Sequence, residues 1–216
     1  MEKTNFFYLL GALLFLLIAF PLAQDLGYHN IAIMRAVVFS VLLLVGIWSL
    51  KGGGRLYVAG MAFVVTGIAL SILAANLDVM ALRYGSNLAM FGFLIVAIIH
   101  TLRQVVFGTE LDTNRLVGAI CVFLLLGMIW AFAYSILELA VPESFKGLSA
   151  AHTPGFDSSW LYFSFVTLTT LGYGDITPAT SIARTLSYMQ AIAGQFYVAV
   201  LVAGLVSAFI ADRQGS

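Results

Sequence analysis

The hydrophobic positions of the chain fall into long, nearly continuous stretches that are separated by short polar segments. A helix needs about 20 mostly apolar residues to cross the hydrocarbon core of a bilayer. Pro21 interrupts the first stretch near its end, and a cleavable signal peptide is an alternative for that stretch alone. The pattern predicts six transmembrane helices: residues 6–23, 31–50, 56–75, 88–107, 116–141 and 182–211.

A shorter apolar stretch, residues 158–169, lies between the fifth and sixth predicted helices. It is too short to span a bilayer and is followed by glycines, which is typical of a re-entrant helix buried in protein at membrane depth. Ser158 or Ser159 can cap its start. The predicted fold class is therefore an all-α membrane protein with six transmembrane helices and one re-entrant segment.

Composition agrees with a membrane protein and excludes some functions. Hydrophobic residues make up 62% of the chain and charged residues only 9%, whereas about a quarter of a soluble domain is charged. The formal net charge is zero, and without a basic excess no nucleic-acid partner is expected. The single cysteine, Cys121, lies in an apolar run and is interpreted as a small core residue.

The distribution of Lys and Arg predicts the orientation of the helices. With the N-terminus inside, six of these residues lie on the inner side and three on the outer side. Both termini are therefore expected in the cytoplasm, and the re-entrant segment opens to the outside. The short termini and the lack of Asn-x-Ser/Thr acceptor sites favour a bacterial inner (plasma) membrane.

The residues that follow the re-entrant stretch carry the clearest functional motif. Residues 167–175 read Thr-Leu-Thr-Thr-Leu-Gly-Tyr-Gly-Asp, with a core formed by Thr170, Leu171, Gly172, Tyr173 and Gly174. This core resembles the selectivity filter of potassium channels, which usually reads Thr-Val-Gly-Tyr-Gly. A segment that aims successive carbonyls at one axis must alternate the handedness of its backbone, and glycine tolerates the left-handed positions.

The resemblance covers residues 116–211 and implies an outer helix, a pore helix, a filter and an inner helix. It implies that K⁺ is coordinated by the backbone carbonyls of residues 170–173 and by the Thr170 hydroxyl. One chain supplies a quarter of each oxygen ring, so a homotetramer is implied. Besides the permeant K⁺ and the lipid bilayer, no cofactor is expected.

The sequence departs from related filters in the residues expected to support it. Leu171 replaces the commoner valine, and Tyr162 and Phe163 stand where some relatives have two tryptophans. Val166 stands where some relatives have a glutamate that pairs with the residue equivalent to Asp175. Because of these changes, the sequence does not determine how rigid the filter is. Thr169 completes the set of expected supporting residues.

Two further residues are candidates by resemblance, each with a plainer alternative. Glu138 resembles a glutamate that braces the pore loop of voltage-gated relatives, or it is an interfacial carboxylate exposed to water. Gly194 aligns with the hinge glycine of potassium-channel inner helices, or it belongs to the small residues that let membrane helices pack closely.

Residues 1–110 are predicted to form a four-helix membrane domain, and residues 111–216 the pore domain. The first domain resembles a voltage-sensor layout, but its fourth helix lacks the arginine repeat, so no steep voltage dependence is expected. Arg35, inside the second helix, is either functional or extends to the outer interface.

Four alternatives belong to other classes. A non-selective cation channel and a potassium-uptake transporter subunit conflict with the single intact filter motif. A membrane enzyme would need a carboxylate pair or a histidine–carboxylate cluster at membrane depth, which the helices lack. A non-conducting accessory subunit is still compatible with the sequence, because a filter motif alone does not prove assembly.

Overall fold

The computed structural model describes residues 6–25, 55–77, 79–107, 113–148, 155–204 and 207. Six α-helices dominate this part of the chain, and a π-helical segment, Tyr197–Val202, continues the last of them. Two short strands pair antiparallel, with Phe145 opposite Pro178. In chain order the elements are α1 (Phe6–Asp25), α2 (Arg55–Leu77), α3 (Met80–Phe107), α4 (Thr113–Ala140), β1 (Phe145–Lys146), α5 (Ser158–Leu168), β2 (Thr177–Pro178) and α6 (Ser181–Phe196).

Three of these helices are long and apolar enough to cross a membrane: Phe6–Ala23, Met80–Phe107 and Thr113–Ala140. A shorter apolar helix covers Val58–Ala74. The predicted helix at 31–50, together with Arg35, lies outside the described residues, so the count of six spans stays a prediction. Helix α3 begins eight residues before the predicted start of the fourth span at residue 88, which places Arg83 on the same helix.

The described helices pack against one another in pairs. Helix α2 packs against α3, and α3 against α4. Helix α1 packs against α4, and the Asn114 side chain accepts a hydrogen bond from the Phe6 amide at 2.8 Å. One hydrophobic cluster runs from Phe6 to Ala183 and crosses residue 110. The boundary predicted there between two domains stays a prediction.

The short helix α5 lies between α4 and α6 and is contacted by both. Its rear face enters an aromatic cluster, in which the Phe163 ring packs edge-on against Tyr134 at 4.9 Å and Phe145 at 5.2 Å between ring centroids. Trp160, fully buried, donates its indole N–H to the Gly155 carbonyl. This packing fixes α5 from behind and leaves residues 169–175 on the opposite, exposed side.

Two local expectations were wrong. The N-cap of α5 is Asp157, whose carboxylate accepts from the Ser159 amide at 2.9 Å, and not Ser158 or Ser159. The carboxylate adds a negative charge at the positive end of the helix dipole, which a serine cannot do. Pro21 does not interrupt the first helix, since α1 continues through it to Asp25. Membrane helices tolerate such prolines when their neighbours satisfy the freed backbone groups.

Candidate functional site

The segment that follows α5, residues 169–174, is called the filter-like segment here. From Thr170 onward, every second residue of this segment has a left-handed backbone. Thr170 has φ 59°, Gly172 φ 59° and Gly174 φ 80°. The left-handed positions expected for the two glycines are therefore present. Thr170 is one of only two described non-glycine residues with positive φ, which is a strained conformation for a β-branched residue.

The first half of this segment is bonded directly to the last turn of α5. The Val166 carbonyl accepts from the Leu171 amide at 2.9 Å and the Gly172 amide at 3.3 Å. The amide and hydroxyl of Thr169 both reach the Phe165 carbonyl, at 3.0 and 2.7 Å. Val166 therefore supports the segment through its backbone, and any movement of α5 along its axis would move residues 169–172 with it.

The far end of the segment is tied to the second turn of α5 by a side-chain pair. The Tyr162 hydroxyl donates to the Asp175 carboxylate at 2.6 Å, and the Tyr162 ring stacks on Tyr173 with 6.3 Å between centroids. The bond from Tyr162 is the main reason why the pKa of the Asp175 carboxyl is lowered from its usual value of 3.8. Asp175 thus has a partner although Val166 offers no carboxylate.

Phe163, the second aromatic residue expected to support the filter, does not lie beside Tyr173 as Tyr162 does. Its ring is 5% exposed and packs into the cluster behind α5, not against Tyr173. Leu171 and Tyr173 are 56% and 66% exposed in the single chain. Their apolar surfaces are therefore not covered by the rest of the same chain.

Glu138, near the end of α4, holds the loop that follows it. Its two carboxylate oxygens accept from the Glu143 amide at 2.9 Å and the Phe145 amide at 3.1 Å. Phe145 belongs to β1, which pairs with β2 directly after the filter-like segment. Gly147, with φ 85°, lies so close to the Asp175 carbonyl that a Cβ atom would collide with it. Glu138 is thereby connected through the loop to residues 175–178.

Two glycines allow the long helices to approach α5. A Cβ atom on Gly194 of α6 would lie 2.6 Å from the Leu168 carbonyl oxygen, and one on Gly127 of α4 would collide with the Phe165 ring. Gly194 therefore has a packing role in this structure. Sequence reasoning missed Gly127, because a glycine in an apolar helix does not reveal which helix it faces.

A buried polar set that sequence reasoning also missed joins the same three helices. It consists of Tyr134 on α4, Ser164 on α5 and Gln190 on α6. The one available signal was an amide side chain in the middle of a predicted membrane helix, at Gln190. In the part of the chain that the structure describes, no group of three His, Cys, Asp or Glu side chains could hold a metal ion.

Known proteins are similar to this chain in the region that contains the filter-like segment. Residues 121–211 match the ion channel family. Two pore potassium channel c of Oryza sativa subsp. japonica is 41% identical over 75 residues, 35% of this chain and 16% of the relative. Two-pore potassium channel 3 of Arabidopsis thaliana is 41% identical over 56 residues, 26% of this chain and 13% of the relative. No solved structure matches the chain significantly.

The similarity is to an ion channel family over residues 121–211 and to parts of two potassium channels, and the three long apolar helices agree with an integral membrane protein. The family matched at residues 121–211 is one of ion channels, which transport ions and do not catalyse reactions. The matched regions cover less than a fifth of the length of these curated relatives. The similarity therefore concerns the pore-like part of the chain.

Proposed function

We propose that the chain is a subunit of a homotetrameric channel that conducts K⁺ selectively and passively across a membrane. The observation that carries this proposal is the alternating handedness at Thr170, Gly172 and Gly174, directly after a helix that points its C-terminal end toward them. Such a backbone can direct successive carbonyl oxygens to one side, where they replace the hydration shell of the ion. No cofactor beyond the permeant ion is part of the proposal.

A tetramer is proposed because one chain offers only one side of an ion-coordinating ring. The exposed apolar surfaces of Leu171 and Tyr173 are consistent with this assembly, since neighbouring copies would cover them. The proposed ligands are the carbonyls of residues 170–173 and the Thr170 hydroxyl. The negative end of the α5 dipole favours a cation near these residues.

The supporting residues are proposed to act in two groups. Tyr162 and Asp175 hold the outer end of the filter, and Glu138 holds the loop that contacts it. Thr169 and the Val166 carbonyl hold its inner end. On the basis of the Lys and Arg distribution we further propose that both termini lie in the cytoplasm and that the filter opens to the outside. A bacterial inner membrane is proposed from the lack of Asn-x-Ser/Thr acceptor sites.

The test is the reversal potential of the purified protein in planar bilayers, with K⁺ on one side and Na⁺ on the other. A value near the K⁺ equilibrium potential is expected. A value near zero in a conducting protein would favour a non-selective cation channel, and no conductance in assembled protein would favour an accessory subunit. Either result would overturn the proposal.

A matched pair of glycine variants ties the current to the filter. Gly174→Ala has room for its methyl group but must adopt φ 80°, which strains any residue with a Cβ atom. Gly11→Ala, on the exposed face of α1, has equal room and a helical backbone. Loss of selective current in Gly174→Ala alone is expected, whereas equal currents in both variants would place the conduction pathway elsewhere.

A further inference from the structure

The middle of helix α6 buries an amide side chain, Gln190, among predominantly apolar residues. Its two polar partners, Tyr134 and Ser164, are also fully buried, and all three side chains have 0% exposure within a single chain. The set therefore forms without a contribution from any neighbouring subunit. A buried polar group that lacks a partner destabilises a protein, so such a set is retained only when each member is satisfied.

The hydrogen bonds of this set run in one direction through three helices. The Tyr134 hydroxyl donates to Gln190 Oε1. Gln190 Nε2 donates to the Ser164 carbonyl at 2.9 Å and to Ser164 Oγ at 2.7 Å. Ser164 Oγ in turn donates to the Gly127 carbonyl at 2.6 Å. The orientation of the amide follows from chemistry, because the Ser164 carbonyl can only accept.

Gln190 connects all three helices, as Ser164 also does, and it is the only one of the two that bonds to both other members of the set. It reaches α4 through Tyr134 and α5 through both the backbone and the side chain of Ser164. Ser164 lies two residues before Val166, whose carbonyl holds the Leu171 and Gly172 amides. A shift of α5 relative to α4 and α6 would break the Gln190 bonds and move the start of the filter together.

We infer that Gln190 is a positioning residue, which sets the depth and rotation of α5 and thereby the geometry of the filter that distinguishes K⁺ from Na⁺. This inference rests on the proposed channel function. Gly127 and Gly194 allow the three helices to approach one another, and the hydrogen bonds of Gln190 select one register among the close packings that these glycines permit. Apolar contacts alone do not fix a register in this way, because they have no direction.

The experiment compares wild type, Gln190→Leu, Tyr134→Phe and Tyr197→Phe. Leucine has a volume similar to glutamine but no polar atoms. Tyr197→Phe is the matched control, since the Tyr197 hydroxyl is also buried and donates to the Ala119 carbonyl of α4 at 2.6 Å, away from α5. Two quantities are measured for each: the K⁺/Na⁺ permeability ratio in bilayers, and the gain in Tm of the purified assembly when K⁺ replaces Na⁺.

Gln190→Leu is expected to lower the permeability ratio by about tenfold, as the loss of buried hydrogen bonds of ordinary strength implies. It should also shrink the K⁺-dependent gain in Tm. Tyr134→Phe should act in the same direction with a smaller effect. Tyr197→Phe should lower Tm equally in both ions and leave the ratio unchanged, because it removes a bond that does not involve α5.

The inference is overturned if wild type is selective while Gln190→Leu and Tyr134→Phe keep both the ratio and the K⁺-dependent gain in Tm. If Gln190→Leu does not assemble, the comparison of the two tyrosine variants decides, and equal behaviour of these variants overturns the inference. A wild-type ratio near unity would instead overturn the proposed function, before any variant is compared.

Discussion

The Tyr162 hydroxyl and the Asp175 carboxylate are joined by a hydrogen bond of 2.6 Å across thirteen residues of chain, and the whole filter-like segment lies between them. The pair closes that segment into a loop whose two ends are both fixed to α5. The absence of a carboxylate at Val166 made filter rigidity uncertain from sequence. In this structure a phenol supplies the partner that Asp175 requires.

Removing the Tyr162 hydroxyl tests this closure. Tyr162→Phe keeps the ring that stacks on Tyr173 but deletes the donor to Asp175. We expect a K⁺ current that declines several-fold faster during sustained opening, because the outer end of the filter loses its anchor. Macroscopic currents in liposome patches measure this rate. Tyr188→Phe, at an exposed tyrosine of α6, is the control, and equal decline in both variants would contradict the role of the pair.

The same pair predicts a defined response to external pH. Because the pKa of Asp175 is lowered from 3.8, its contribution to stability is fully present above that value and is lost as the pH falls through the lowered pKa. Acidification from about pH 7 to about pH 5 should therefore leave filter stability unchanged through this pair. The K⁺-dependent gain in Tm, followed to lower pH, measures the loss. Asp175→Asn should lack this pH dependence, and a transition near neutral pH that the variant abolishes would contradict the assignment.

Glu138→Gln tests the brace on the loop after α4. An amide can accept from only one of the Glu143 and Phe145 amides, and its own N–H₂ would face the other donor. We expect a loss of about 0.5–1.5 kcal/mol in the free energy of unfolding, the usual net contribution of one hydrogen bond, because the Glu143 amide is exposed and can bond to water instead. Glu143→Gln makes the same chemical change at an exposed position and should be nearly neutral. Equal Tm values for the two variants would favour a simple interfacial carboxylate at position 138.

Gly194→Ala separates packing from hinge bending. A methyl group 2.6 Å from the Leu168 carbonyl oxygen would push α6 away from the end of α5, so selective current and K⁺-dependent stability should both fall. Gly204→Ala, further along the chain, meets no atom within 4 Å and is the control. If Gly194→Ala keeps its selectivity and changes only the open probability, the hinge role is favoured instead.

Voltage dependence is expected to be shallow. Helix α3 carries Arg83 and Arg103 near its two ends and no Lys or Arg between them, whereas steep gating needs several charges that cross the field. One elementary charge moved through 100 mV contributes only about 2.3 kcal/mol. Conductance measured from strongly negative to strongly positive voltages should change gradually. An e-fold rise within a few millivolts would contradict this expectation.

Features that depend on residues close together in the chain could be predicted from the sequence. The length of the apolar stretches predicted the three described helices that are long enough to span a bilayer. The sequence of residues 170–174 indicated a segment with left-handed glycines. The short helix at residues 158–168 followed from a run too short to span, bounded by glycines. Each of these properties follows from local sterics or from the thickness of the bilayer.

The contacts between residues on different helices became known only from the folded chain. It made Tyr162 the partner of Asp175, Asp157 the cap of α5, and Gln190 the link among α4, α5 and α6. It also gave Gly194 a contact with α5 that a hinge does not require. Helices α4 and α5 are apolar on all sides, so no amphipathic pattern reveals which face each of them turns to a neighbour. The contacts that they make with α6 depend on helix rotation and depth, which packing sets.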